Sequence, residues 1–105
     1  MKEVNVTELK DMMDRGDDFQ LIDVREPHEY DICNLDGKLI PMGQIPSSTD
    51  QIERDKPVII YCRSGARSGQ ICEYLEKNFG YGNVYNLKGG VLAWSDEIDP
   101  SMPKY

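Results

Sequence analysis

Apolar and polar positions change their period several times along the chain, and each change marks an element. Leu9, Met12 and Met13 recur at helical spacing. Thr7 is the predicted cap of that helix, which runs to about Arg15 and ends at Gly16. Phe19 to Val24 is a largely apolar run that predicts a buried strand, and Glu26 to Tyr30 predicts a short helical turn. Lys38 to Ile40 reads as a second short strand, after which Pro41, Gly43 and Pro46 interrupt regular structure. Ser48 or Thr49 is the predicted cap of a short helix ending at Arg54. The clearest unit follows. Val58-Ile59-Ile60-Tyr61 is continuous, apolar and β-favouring. Cys62 to Arg67 forms a short polar loop, and Ser68 begins a helical pattern with Ile71, Cys72, Leu75 and Phe79 on one face, closed by Gly80. Val84 to Leu87 predicts a further strand, and Gly89-Gly90 turns the chain into a last helix carrying Val91, Trp94 and Ile98.

Strands alternating with helices predict an α/β, three-layer domain with a mostly parallel central sheet flanked by helices. The chain has 105 residues and no repeat, low-complexity tract or long linker, so a single domain over residues 1–105 is expected.

Charge narrows the partners. The formal net charge of -7 argues against nucleic acid, whose phosphates demand Lys and Arg, and against an anionic membrane surface. No apolar run approaches the ~20 residues that span a bilayer. The first residues lack the basic-then-apolar pattern of a signal peptide, so a cytoplasmic location is expected. Within this acidic chain there is one basic island: Lys56, Arg63 and Arg67 fall in a stretch from Lys56 to Cys72 that holds no Asp or Glu. A small anion is the ligand such an island suits.

There are three cysteines, Cys33, Cys62 and Cys72, an odd number with no C-x-x-C pair. This spacing argues against a disulfide framework and against a zinc site; no metal or organic cofactor is expected. Cys62 stands out by position. Ligands of open α/β sheets bind at the carboxyl ends of strands, and Cys62 ends the most apolar strand just before a helix. Its loop reads Cys62-Arg63-Ser64-Gly65-Ala66-Arg67. Gly65 permits a tight curl, which turns backbone N–H groups inward as an anion nest. The helix N-terminus adds positive potential, and Arg63 and Arg67 add two charges. All of these favour thiolate over thiol, and the expected sulfur lies at the rim of the sheet rather than shut in the core. Cys72, on the apolar helix face, is expected to be core. Cys33 has no assigned role. Asp23 is expected in a structural ion pair or turn, His28 on the surface, and Trp94 in the core.

On these residues the sequence resembles the rhodanese family. Cys62 to Ser68 looks like the family's persulfide loop, Asp23 to Tyr30 like its N-terminal motif, and Leu87 to Trp94 like its C-terminal motif. The resemblance implies the rhodanese-like fold, Cys62 as the catalytic sulfur carrier, and Arg63, Ser64, Gly65, Ala66 and Arg67 as the residues cradling the sulfane sulfur. It implies a small anionic sulfur donor, with a sulfur-carrier or persulfide-donor protein as a further partner. One departure is visible: Ile32 to Pro41 lacks the Gly-His of many family members. Together with Ile98 to Tyr105, this segment looks like the rhodanese domain fused to enzymes that adenylate sulfur-carrier proteins. The implied activity is thiosulfate sulfurtransferase-like. The rivals are a non-catalytic binding module of the same fold, and a cysteine phosphatase or arsenate reductase. A phosphatase loop, Cys-x5-Arg, would place its arginine at position 68, which is serine here; the arginine comes one place early, at Arg67.

Overall fold

The computed structural model describes residues 1–105. Its centre is the strand that the longest apolar run predicts. Five strands, β1 (Lys2–Val4), β2 (Gln20–Asp23), β3 (Lys38–Leu39), β4 (Val58–Tyr61) and β5 (Val84–Leu87), form one sheet in the order β1-β5-β4-β2-β3. Every pairing is parallel. β4 lies in the middle with all four residues buried, which is why it reads as unbroken apolar sequence rather than as an alternation.

Alternation along β4 still decides which side each residue faces. Val58, Ile60 and Cys62 join one core, with Ile71, Cys72 and Leu75 of helix α3 (Ala66–Phe79). Ile59 and Tyr61 join the other, with Leu9 of α1 (Val6–Arg15) and Val91 and Trp94 of α4 (Gly90–Glu97). Cys62 is therefore turned toward the start of α3 by strand periodicity alone. The predicted three layers are present, and Cys72 and Trp94 are core residues, as expected.

Two sequence expectations fail for local reasons. The cap of α1 is Asn5, not Thr7. Asn5 Oδ1 accepts the Glu8 N–H at 2.8 Å while the Glu8 carboxylate accepts the Asn5 N–H at 3.0 Å, a reciprocal pair that outcompetes a cap at Thr7. The helix predicted from Ser48 or Thr49 to Arg54 is only a single 3-10 turn, Thr49–Gln51, and the segment before it, predicted as an interrupted loop, forms a 3-10 helix, Met42–Ser47. Past Gln51, side chains take over the backbone partners. The Gln20 carboxamide bonds Gln51 O and the Glu53 N–H, both at 2.9 Å, while the Tyr81 hydroxyl lies 3.0 and 3.1 Å from the carbonyls of Thr49 and Ile52. The turn expected at Glu26 to Tyr30 is a short helix, α2 (Pro27–Ile32). No helix is long and apolar enough to cross a membrane.

Candidate active site

The loop between β4 and α3 curls as its glycine predicts. Gly65 takes φ +99° and lets the chain fold back over Cys62 before entering the helix. The Gly65 N–H donates to Cys62 Sγ at 3.1 Å, and Ser68 Oγ lies 3.3 Å from the same sulfur. Burial pushes the Cys62 thiol up, but the Ser68 hydroxyl and the backbone N–H groups of Ser68, Gly65 and Ser64 pull it further down. The balance lies below the ordinary thiol value. Cys72, ten residues on in the same core, has burial without such donors and is pushed up to about 12.

The cup is held from behind by α4. The N–H groups of Val91 and Leu92 donate to the carbonyls of Cys62 and Arg63, each at 3.1 Å. Carbonyls turned toward α4 leave the loop's N–H groups turned toward the sulfur. The approach is so close that a Cβ on Gly90 would lie 2.4 Å from Cys62 O. The Gly89-Gly90 doublet, which the sequence marks only as a turn, is thus part of the site's scaffold. Asn86, at the end of β5, reaches in from the side; its Nδ2 donates to Gly65 O at 3.1 Å. Nothing in the sequence pattern distinguishes Asn86 from any other strand residue.

The basic island disperses in three dimensions. Lys56 precedes β4 at the opposite end of the strand and pairs with Asp18 at 3.1 Å. Arg67 is held by Glu29 through two bonds of 2.8 Å, so it is not a free cation over the sulfur. The Arg67 guanidinium holds the Glu29 carboxyl near 2, well below the usual carboxylate range. Of these three residues only Arg63 makes no ion pair; its guanidinium sits 5.1 Å from the ring centroid of Tyr105, and its Nε is buried without a hydrogen-bond partner. Ser64 and Ala66 are exposed on the loop's outer surface.

Beside the cup lies a second network. Arg25 is completely buried and forms a fork with Asp23, its shortest bond 2.7 Å. It also donates to Cys33 O and Tyr105 Oη, both at 2.7 Å. The Tyr105 hydroxyl in turn donates to Glu29 Oε2 at 2.9 Å. Asp23 is the structural ion pair expected, and His28 is exposed. Glu29 and Tyr105 were legible only as parts of motifs, because Glu29 meets Arg67 across 38 residues and Tyr105 across 76 residues of sequence.

One expectation needs correction. Cys62 is 1% exposed rather than open at the rim. Its sulfur faces the inward amides, yet the loop covers it. The larger surface depression, of about 440 Å³, lies instead between Met42, Pro46, Ile71 and Tyr74.

Fold and site together define an α/β domain with a cysteine-centred cup at the carboxyl end of its central strand. Residues 5–97 match the rhodanese-like domain model. A sulfurtransferase of Allochromatium vinosum is 41% identical over 90% of this chain and 89% of its own length. The probable adenylyltransferase/sulfurtransferase MoeZ of Mycobacterium tuberculosis is 37% identical over 93% of this chain, which spans only 26% of MoeZ. The crystal structure of a rhodanese-like domain protein from Staphylococcus aureus superposes with a TM-score of 0.82 at 35% identity, covering 93% of this chain and 95% of that one. The chain belongs to the rhodanese-like family.

Proposed function

We propose that this protein is a sulfurtransferase that carries sulfane sulfur as a persulfide on Cys62. The observation that carries the reading is the inward donor set, the Gly65 N–H at 3.1 Å and the Ser68 hydroxyl at 3.3 Å from Sγ, at the start of α3. Donors fixed before reaction stabilise negative sulfur without reorganising. In the first step the Cys62 thiolate attacks the outer sulfur of a donor such as thiosulfate. A new S–S bond forms, the donor's S–S bond breaks, and its electron pair leaves on sulfite. In the second step an acceptor thiolate, or cyanide, attacks the outer persulfide sulfur and returns the electron pair to Cys62. Arg63, Ser64, Gly65, Ala66 and Arg67 form the cradle, with Arg67 acting through its pair with Glu29. Relatives named sulfurtransferases support the activity. The likeness to MoeZ supports a protein partner, a persulfide donor or an adenylated sulfur carrier, served in trans.

Burial of Cys62 favours a second reading, a binding module that uses the same fold without chemistry. A phosphatase reading is weakened because both terminal nitrogens of Arg67 are committed to Glu29. Thiosulfate with cyanide is the assay that separates these readings. Sulfur transfer should produce thiocyanate, and Cys62→Ala should lower the rate at least about a hundredfold. No thiocyanate from any sulfane donor, with the protein folded, would leave the binding module standing.

A further inference from the structure

Ser68 has one hydroxyl proton and two neighbours that both want it. Its Oγ lies 2.5 Å from Asn86 Oδ1 and 3.3 Å from Cys62 Sγ. The orientation of the Asn86 carboxamide is not free. Its other end lies 3.1 Å from Gly65 O, a carbonyl that only accepts, so that end must be the NH2 and the end facing Ser68 must be the oxygen. Asn86 Oδ1 therefore needs the Ser68 proton. While Cys62 is a thiol, all three groups are satisfied: S–H points to Ser68 Oγ, and Ser68 O–H points to Asn86. Once Cys62 ionises, the hydroxyl must turn to the sulfur. Two oxygen lone-pair surfaces then face each other 2.5 Å apart, and Asn86, 3% exposed, has no water to replace the lost donor.

We propose that Asn86 is a positioning residue that governs the ionisation of Cys62 by competing for the Ser68 hydroxyl. It holds the hydroxyl when the sulfur is protonated and yields it when the sulfur is charged. Its significance rests on Cys62 being the nucleophile, but its action on the thiol is separate from sulfur transfer. The charged and titratable groups around Cys62 are Arg63 in the loop, Arg67 and Cys72 on α3, Glu29 and Tyr105 behind Arg67, and the Asp23–Arg25 pair at the end of β2. β5 brings only neutral Asn86 to the site, and α4 brings only backbone N–H groups. The effect of Asn86 is thus one of proton position rather than of charge.

The test reads the rate of Cys62 alkylation by iodoacetamide against pH, peptide by peptide, in wild type, Asn86→Ala, Ser68→Ala and the double variant, with no sulfur donor present. Asn86→Ala removes two things, the competing oxygen and the support of Gly65 O; only the first depends on Ser68. Ser68→Ala should raise the midpoint. The Asn86→Ala shift with Ser68 present should lie below its shift without Ser68 by about half a unit or more. Equal shifts in both backgrounds would make Asn86 a loop support only and overturn the proposal. Wild-type NMR of the Asn86 side-chain carbonyl carbon serves if Asn86→Ala does not fold. That resonance should move with the Cys62 midpoint, and a resonance unmoved through the midpoint also overturns the proposal. Sulfur-transfer activity enters neither readout, so a failure here and a failure of the proposed activity are distinguishable.

Discussion

Cys62 and Cys72 share one core and differ in what surrounds their sulfurs. Burial raises both thiols; only Cys62 has donors aimed at it. Iodoacetamide should therefore alkylate Cys62 with a midpoint below the ordinary thiol value, while Cys72 stays unmodified until the protein unfolds. Peptide mapping after a timed pulse at several pH values checks this; a midpoint above that value at Cys62 would mean that burial outweighs the donors. The residue itself was legible in the sequence, since an apolar strand followed by a glycine-bearing polar loop places a cysteine where sheets bind ligands. Its depth was not legible. How far a loop closes over a side chain depends on Asn86 and Gly90, which meet the loop across 21 residues or more of sequence and carry no periodic signal.

Among the elements, the two that make the cup are α3, which supplies donors, and α4, which turns the loop's carbonyls away. Gly90 is where the second role is most exposed to mutation, with φ +57° and a virtual Cβ 2.4 Å from Cys62 O and 2.5 Å from Arg63 O. Gly90→Ala should destabilise the fold by about 2–4 kcal/mol and displace the loop, seen as a lowered urea midpoint together with reduced sulfur transfer. A neutral effect on both would show that α4 does not hold the loop. α2 acts through Glu29, which ties the start of α3 and Tyr105 together. Its folded pKa is depressed from 4.5 to about 2, so its stabilisation is full above about pH 5 and is lost as pH falls toward 2. Glu29→Gln should cost about 1–2 kcal/mol near neutrality, and the loss should shrink through that acid window. Urea titrations of both proteins at pH 3 and pH 7 measure it; the same difference at both values would exclude an ionic role. β2 to β5 and α3 were readable from the apolar pattern, whereas β1 was not, and the helix predicted to end at Arg54 is absent. Gln20 and Tyr81, distant in sequence, take the hydrogen bonds that a helix would have made there.

At the scale of the whole molecule, an acidic chain keeps a donor-lined cup while six of its twelve Lys and Arg residues are committed to ion pairs. Lys56 pairs with Asp18, Arg67 with Glu29 and Arg25 with Asp23, leaving Arg63 over the Tyr105 ring. The linear cluster of basic residues suggested an anion site, with the two charges of Arg63 and Arg67 at the sulfur. Folding sends Lys56 to the far end of β4 and neutralises Arg67, so backbone dipoles and the Ser68 hydroxyl carry more of the stabilisation than the sequence implied. Such a cup should accept one additional sulfur atom and give it back. Intact-mass spectrometry after incubation with thiosulfate tests this most directly. The mass should rise by one sulfur atom, return on adding cyanide, and stay constant in Cys62→Ala. A folded wild-type protein whose mass never changes, or a gain that survives Cys62→Ala, would contradict the assignment of Cys62 as the sulfur carrier.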